Sequence, residues 1–172
     1  MQTTKRTLTI GLAMLIAALA TPAWAALITY APYDLSATEP NLWQIDYVVS
    51  DHNLGIDEGF QVFFPYGQYE DLALLSAATG WDALVFQPDM IFGVPEPGIL
   101  DGLQLVDNGG AAAAFSIQLH WLGVGTPEPQ NFELYDANFN VLESGRTVMV
   151  PEPVSGLLLV AGLCGLAWRR SR

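Results

Sequence analysis

Apolar and polar residues alternate along the middle of the chain, most regularly over residues 115–121. There the odd positions are aromatic or aliphatic, whereas Ser116, Gln118 and His120 occupy even positions. A period of two places successive side chains on opposite faces of a β-strand, so the pattern predicts strands with one buried face and one wet face. The same alternation recurs over residues 43–49, 60–64 and 132–134.

Shorter apolar stretches predict further strands, and residues that favour turns separate them. These further strands are expected near residues 27–30, 83–86, 103–106 and 147–149. The turns are expected at residues 64–67, 107–110 and 144–145.

Only residues 70–78 favour a helix, because Leu72, Leu74 and Leu75 break the alternation. About eight short strands in a segment of this length predict an all-β fold. The expected architecture is an antiparallel β-sandwich of immunoglobulin-like or jelly-roll-like type. A single-sheet barrel is the alternative.

Residues 1–25 have the parts of a secretory signal peptide. A positively charged start is followed by an uncharged apolar run over residues 8–20 and then by a proline. Ala23 and Ala25 stand at the two positions that must be small, which predicts cleavage between Ala25 and Ala26. The alternative, an uncleaved N-terminal anchor, is weaker because the run is short and ends at that proline.

Residues 154–168 carry no charge and predict a transmembrane helix. At about 1.5 Å per residue the helix spans only ~22 Å of the ~30 Å hydrocarbon core, so local thinning or flanking residues must make up the difference. Arg169, Arg170 and Arg172 follow directly, and the positive-inside bias keeps them in the cytoplasm. With the N-terminus exported, the intervening residues lie outside the cytoplasm.

The segment between these ends, residues 26–149, has the length of one domain and is strongly acidic. All but Glu152 of the 18 acidic residues lie in it, whereas Arg146 is its one lysine or arginine, so its formal charge is −16. Such a charge repels nucleic acid and argues against it as a partner. The single cysteine, Cys164, lies in the apolar tail, so the domain must be stable without an intrachain disulfide.

Pro-Glu-Pro occurs three times in the chain. The copies within residues 94–97 and 126–129 lie between predicted strands and are expected to be loops, because proline supplies no ladder donor. Only Pro151, Glu152 and Pro153 stand directly before the apolar segment and its arginines.

This order of motif, short hydrophobic helix and Arg-rich end over residues 150–172 resembles the PEP-CTERM sorting signal of Gram-negative bacteria. Segments 80–89 and 132–147 are also similar to small exported PEP-CTERM domains. The resemblance implies an exosortase substrate, held transiently in the inner membrane by residues 154–168. Exosortase is a membrane-embedded, cysteine transpeptidase-like enzyme. The alternative is an ordinary C-terminal anchor.

Few residues of the acidic domain suit catalysis. His52 and His120 are its two histidines, and it has no cysteine and no Gly-x-Ser-x-Gly elbow. We expect His120 to be a solvated side chain on a strand's polar face and His52 to lie in a loop. Adjacent acids such as Glu70 and Asp71 would point apart on a strand, and solvated charges explain them better than glycoside hydrolysis does. We therefore expect no enzymatic activity and no catalytic residue.

Residues 51–58 place oxygen-bearing side chains around a glycine, which resembles part of a calcium loop. Asp51, Asn53, Asp57 and Glu58 are the candidate ligands of this cofactor. The alternative is a polar turn between strands, because the spacing of an EF-hand is incomplete.

Carbohydrate binding is the other hypothesis for the domain, with exopolysaccharide as the partner that the family resemblance implies. Tyr66, Tyr69 and Trp81 lie in or near predicted loops, where aromatic rings can stack on sugars. We expect an exported cell-surface or extracellular-matrix protein with a structural or adhesive role. The alternative is a carbohydrate- or calcium-binding module at the same location.

Overall fold

The structure, a computed structural model, describes residues 26–150. The predicted signal peptide, and the predicted sorting signal beyond Val150, lie outside this range. Within it, no helix has the length and apolarity needed to cross a membrane. The strands in chain order are β1 (Leu27–Asp34), β2 (Leu42–Ser50), β3 (Gly59–Phe64), β4 (Tyr69–Ser76), β5 (Trp81–Phe86), β6 (Asp89–Ile91), β7 (Val94–Glu96), β8 (Gly98–Gln104), β9 (Ala113–Trp121), β10 (Asn131–Tyr135), β11 (Val141–Arg146) and β12 (Val148–Met149).

Ten of these strands form two five-stranded sheets. Sheet A has the order β12-β1-β2-β9-β4, and sheet B has the order β11-β10-β3-β8-β5. All neighbours in the two sheets are antiparallel except β1 and β12, which are parallel. Strands β6 and β7 form a separate hairpin. The prediction of an all-β fold with antiparallel sheets is confirmed.

The inward faces of both sheets share one hydrophobic core, which gives a β-sandwich-like arrangement. In β8 and β9 burial alternates residue by residue, as the sequence pattern predicts. Between the sheets, the ring centroids of Phe60 on β3 and Phe115 on β9 lie 4.9 Å apart in an edge-to-face contact. Trp81 on β5 packs against both rings, at 5.9 and 5.6 Å.

Gly102 on β8 leaves room for this aromatic packing. It pairs with Phe60 across the sheet, and a Cβ atom at Gly102 would overlap the Phe60 ring. The Phe60 side chain is fully buried, so it has no free space into which it can move. The missing side chain at Gly102 is therefore a packing requirement.

The helix predicted for residues 70–78 is wrong, because residues 70–76 belong to strand β4 and residues 77–78 form no helix. Tyr69 pairs with Trp121 of β9, but the register shifts between Glu70 and Ala73. Asp71, within the shift, has a φ of 51°. A bulge inserts an extra residue and breaks the period of two, so the leucine spacing imitates a helix although the segment is paired with a sheet.

Two segments that the sequence predicts as a turn and a loop belong to strands in the structure. The turn predicted at residues 144–145 lies within β11, and the chain reverses instead between Asp136 and Asn140. Gly145 is needed there for close packing, since a Cβ atom would lie 2.8 Å from the Phe132 ring. The loop predicted at residues 94–97 contains β7, in which Pro95 pairs with Met90. Proline is tolerated because this hairpin strand has an unpaired edge.

One predicted strand is displaced, and one predicted loop is confirmed. The strand expected at residues 103–106 is β8, which begins at Gly98 and ends at Gln104. Residues 126–129, the second Pro-Glu-Pro segment, contain no strand, as predicted.

Replacing Gly102 by alanine is expected to lower the free energy of unfolding by about 1–3 kcal/mol, because the added methyl group overpacks the aromatic core. Urea denaturation of the purified protein measures this change. Gly55→Ala is the control: there a Cβ atom would meet its nearest neighbour, Glu58 Oε2, at an ordinary 3.7 Å. Equal stability of the two variants would show that the contact with Phe60 does not limit position 102.

Candidate functional site

A groove with a volume of about 860 Å³ lies at one end of sheet B. It is bounded by the β3–β4 turn, by the β6–β7 hairpin and by the adjacent ends of β10 and β11. Aromatic rings and prolines give it an apolar surface, and polar side chains add hydrogen-bonding groups, which is the usual composition of a ligand site. We call it the Tyr66 groove; its lining includes Phe63, Tyr66, Pro95, Glu133, Ser144 and Arg146.

Tyr66 is the predicted carbohydrate-binding residue that the fold leaves on the surface. It lies in a tight turn in which Gln68 N donates a hydrogen bond to the Pro65 carbonyl over 3.2 Å. Gly67 completes the turn with a φ of 76°, which glycine adopts without strain. The turn leaves Tyr66 45% exposed in the groove lined by Phe63.

Arg146 gives the groove its positive charge, and it is the one lysine or arginine within residues 26–150. Its Nη2 atom donates a hydrogen bond of 2.8 Å to the Pro129 carbonyl. Glu133 on β10 pairs with Ser144 on β11, and both line the same groove. A guanidinium, a carboxylate and a hydroxyl thus surround an apolar surface with both donors and acceptors.

A buried polar network, which we call the Gln130 cluster, holds the segment to which Arg146 is bonded. Gln130 Oε1 accepts hydrogen bonds from the Tyr47 hydroxyl at 3.0 Å and the Thr147 hydroxyl at 3.2 Å. Its Nε2 donates to the Tyr69 hydroxyl at 3.1 Å, and its backbone N donates to Thr147 Oγ1 at 2.8 Å. Because buried polar groups are costly without partners, these bonds fix residues 129–130 and, through them, Arg146.

Tyr69 and Trp81, the other two predicted carbohydrate residues, are buried in the core. Tyr69 is 2% exposed and packs against Phe64 and Trp121, with ring centroids 5.3 and 4.8 Å away. Trp81 is 7% exposed and lies between the sheets. Each is the first residue of its strand and faces inward, so neither ring presents a stacking surface to a sugar. Carbohydrate binding through these two residues therefore gains no support from the geometry.

Sequence reasoning did not find the other groove residues. Phe63, Glu133, Ser144 and Arg146 come from three strands, and the sheet order alone makes them neighbours. One signal was present in the sequence: Arg146 is an isolated positive charge in a segment of 17 acidic residues.

The predicted calcium ligands form a polar turn whose carboxylates do not converge. Glu58 Oε2 accepts a 2.8 Å hydrogen bond from Gly55 N, and Asp51 and Asp57 have φ angles of 55° and 63°. Over residues 26–150, no three histidine, cysteine or acidic side chains group as metal ligands would. Calcium binding through Asp51, Asn53, Asp57 and Glu58 thus gains no support from the geometry and remains an untested prediction.

The two histidines occupy different environments. His52 lies outside the strands, as predicted, but it is buried edge-to-face against Trp81, and this burial lowers its pKa. His120 lies on the outer face of β9, where its Nε2 is 3.3 Å from Glu39 and its Nδ1 is 3.1 Å from Asp71. It is therefore a partly shielded side chain between two carboxylates and not the freely solvated group that the strand pattern predicts.

Comparison with known proteins assigns the chain to no family. No protein-family model matches the chain, and no curated protein matches it. The groove, the charge and the terminal motifs are therefore the features of this chain that bear on its function.

The buried tyrosines predict alkaline unfolding. Burial raises the pKa of Tyr69 to about 12 and that of Tyr47 well above its usual value, whereas an unfolded tyrosine titrates near pH ~10. Below pH ~10 the two hydroxyls are protonated in both the folded and the unfolded protein. Above it the unfolded chain loses protons that the folded protein retains, so the free energy of unfolding decreases between pH ~10 and ~12. Denaturant midpoints measured against pH should show this decrease.

A Tyr69→Phe variant is the matched control, because it lacks one of the titrating groups. We expect its unfolding midpoint to be lower at neutral pH, since Gln130 loses a hydrogen-bond partner. Its further decrease above pH ~10 should be smaller than that of the unaltered protein. Identical alkaline slopes for the two proteins would exclude Tyr69 as a source of the effect.

Proposed function

We propose that this chain is an exported cell-surface or extracellular-matrix protein that exosortase sorts and cleaves at its C-terminal PEP-CTERM signal. The observation that supports it is the position of the β-sandwich between the two predicted targeting segments. Ala26, the residue after the predicted cleavage site, is already buried, and Leu27 begins β1. Val150 N donates a 2.8 Å hydrogen bond to the Tyr30 carbonyl directly before the Pro-Glu-Pro motif.

The proposed sorting step requires an accessible substrate segment. β12 is an edge strand of sheet A, so the chain leaves the sandwich at its periphery immediately before Pro151. A residue that precedes proline avoids the α region, which favours an extended segment that a protease cleft can accept. In the proposal, residues 154–168 hold the precursor transiently in the inner membrane, and Arg169, Arg170 and Arg172 stay in the cytoplasm.

The proposed final role is structural or adhesive and not enzymatic. The side-chain hydrogen bonds of the histidines support this: His52 Nδ1 accepts from Leu54 N, and His120 contacts carboxylates. Neither bond activates a serine hydroxyl as a nucleophile. The charge of −16 on the domain disfavours nucleic acid as a partner.

Saccharide binding in the Tyr66 groove is the second candidate function, and the composition of the groove favours it. A sugar ring presents an apolar face to aromatic rings and hydroxyl groups to polar side chains at its edge. Tyr66 and Phe63 supply the first kind of surface, and Glu133, Ser144 and Arg146 supply the second. In this proposal exopolysaccharide is the partner. The finer assignment of the sandwich to an immunoglobulin-like or jelly-roll-like type is likewise a proposal.

The sorting proposal predicts a cleaved C-terminus that depends on both the enzyme and the motif. Mass spectrometry of the protein from cells with exosortase should show the loss of the residues that follow a bond near Pro153. In cells without exosortase, and in a variant with alanine at positions 151–153, the chain should keep Arg172 and stay in the membrane fraction.

The first Pro-Glu-Pro copy provides the control for this experiment. Alanine at positions 95–97 alters the same three residue types in the exposed β6–β7 region, and normal C-terminal cleavage is expected. A chain that keeps Arg172 in cells with active exosortase would contradict the sorting proposal.

Saccharide binding predicts that Tyr66→Ala weakens the affinity for native exopolysaccharide about tenfold, which corresponds to about 1.4 kcal/mol. Isothermal titration calorimetry measures this affinity. Tyr33→Ala is the matched control, because Tyr33 is similarly exposed, at 49%, but lies on β1 of sheet A. Equal loss in the two variants, or no binding by the unaltered protein, would exclude the Tyr66 groove as the saccharide site.

A further inference from the structure

The backbone nitrogen of Ala26 has a carboxylate partner from a distant part of the chain. It donates a hydrogen bond of 3.1 Å to Glu143 Oε2, although the two residues are 117 positions apart. Ala26 is only 8% exposed. Glu143 belongs to β11, at the edge of sheet B, whereas Ala26 directly precedes β1 of sheet A. The contact therefore links the two sheets.

Removal of the signal peptide changes the chemistry of this nitrogen. Hydrolysis of the Ala25–Ala26 peptide bond consumes one water, leaves a carboxyl group on Ala25 and converts the amide N–H of Ala26 into an α-amino group. That group is protonated near neutral pH, because its ordinary pKa lies near ~8. A neutral donor is thereby replaced by an ammonium ion at the same position.

We infer that Glu143 is the binding site for the α-amino group that processing creates on Ala26. A carboxylate that already accepts the amide N–H becomes the partner of a charge-assisted hydrogen bond, which is shorter and stronger than the neutral one. This inference depends on the proposed export of the chain, because without cleavage the nitrogen stays an amide.

The surroundings of Ala26 favour a positive charge. It lines a cavity of about 180 Å³ together with Asp51, His52 and Glu143. Burial lowers the pKa of His52, so its imidazole is neutral at pH 7 and does not repel an ammonium group. Leu54 and Leu134, both buried, form the inner wall of the cavity, whereas Leu142 and Asn53 line its exposed side. The contact between the nitrogen and the carboxylate is thus partly shielded from water, which strengthens the attraction between opposite charges.

The mature protein offers a direct probe of this site. Lys5 is the only lysine of the chain and lies in the predicted signal peptide. Once residues 1–25 are removed, the α-amino group of Ala26 is the only primary amine in the protein. An amine-specific acetylating ester therefore reports on this one group, because only the deprotonated amine reacts.

The experiment uses the exported protein, purified from the membrane or the medium, with its N-terminal residue identified by mass spectrometry. The acetylation rate is measured against pH for the unaltered protein, for Glu143→Gln and for Glu133→Gln. The last variant removes a carboxylate of the same size from the neighbouring strand β10. We expect the unaltered protein and Glu133→Gln to react about tenfold more slowly at pH 7.5 than Glu143→Gln, because an adjacent carboxylate raises the pKa of the ammonium group.

If Glu143→Gln folds poorly, the thermal stability of the unaltered protein tests the same contact. Acetylation of the unaltered protein in denaturant neutralises the same charge without altering any side chain. After refolding, the acetylated protein should have a lower Tm than the free-amine form, and the difference should decrease in high salt.

The outcomes separate this inference from the proposed export. Ala26 as the N-terminus, with equal rates in all three proteins and no change of Tm on acetylation, would overturn the Glu143 site and leave export intact. A mature N-terminus at another residue would also overturn the site but not export. A purified chain that still contains Lys5 would overturn both.

Discussion

Edge-to-face packing of aromatic rings between two sheets is the interaction on which the rest of this structure depends. Phe60 and Phe115 meet at 4.9 Å across the sandwich, and Gly102 leaves the space that the Phe60 ring fills. The single cysteine, Cys164, lies outside residues 26–150, so no disulfide supports this domain. The burial of apolar surface must therefore offset the conformational entropy that the chain loses on folding.

The Gln130 cluster connects this core to the features that bear on function. Tyr47 and Tyr69 are core residues whose hydroxyls bond to Gln130, and Gln130 in turn bonds to Thr147. Thr147 lies between β11 and β12, so one buried network fixes both the groove that contains Arg146 and the last strand of the domain, which ends next to the proposed sorting motif. The Tyr66 groove and the C-terminal end of the domain are thus positioned by the same hydrogen bonds.

Local pattern predicted strands well where the alternation was regular and failed where it was interrupted. β9 alternates between apolar and polar residues from Phe115 to Trp121, so the inner and outer faces of this stretch followed from the sequence. β4 contains a bulge near Asp71, and an inserted residue shifts every later side chain to the opposite face, which imitates the spacing of a helix. The site was only partly predictable, since the local sequence does not show whether an aromatic residue in or beside a turn faces the core: Tyr69 and Trp81 are buried, whereas Tyr66 is exposed.

The sequence by itself determined the all-β class, the regular strands, the acidic charge and the terminal motifs, because each depends on residues that are close together in the chain. Only the tertiary structure decided which aromatic rings are buried, which strands enclose the Tyr66 groove, and that Ala26 meets Glu143. Those contacts depend on the order of strands within two sheets, and that order is set by the packing of the whole core. This strand order makes neighbours of residues that are far apart in sequence. The local alternation of apolar and polar residues does not predict such neighbours.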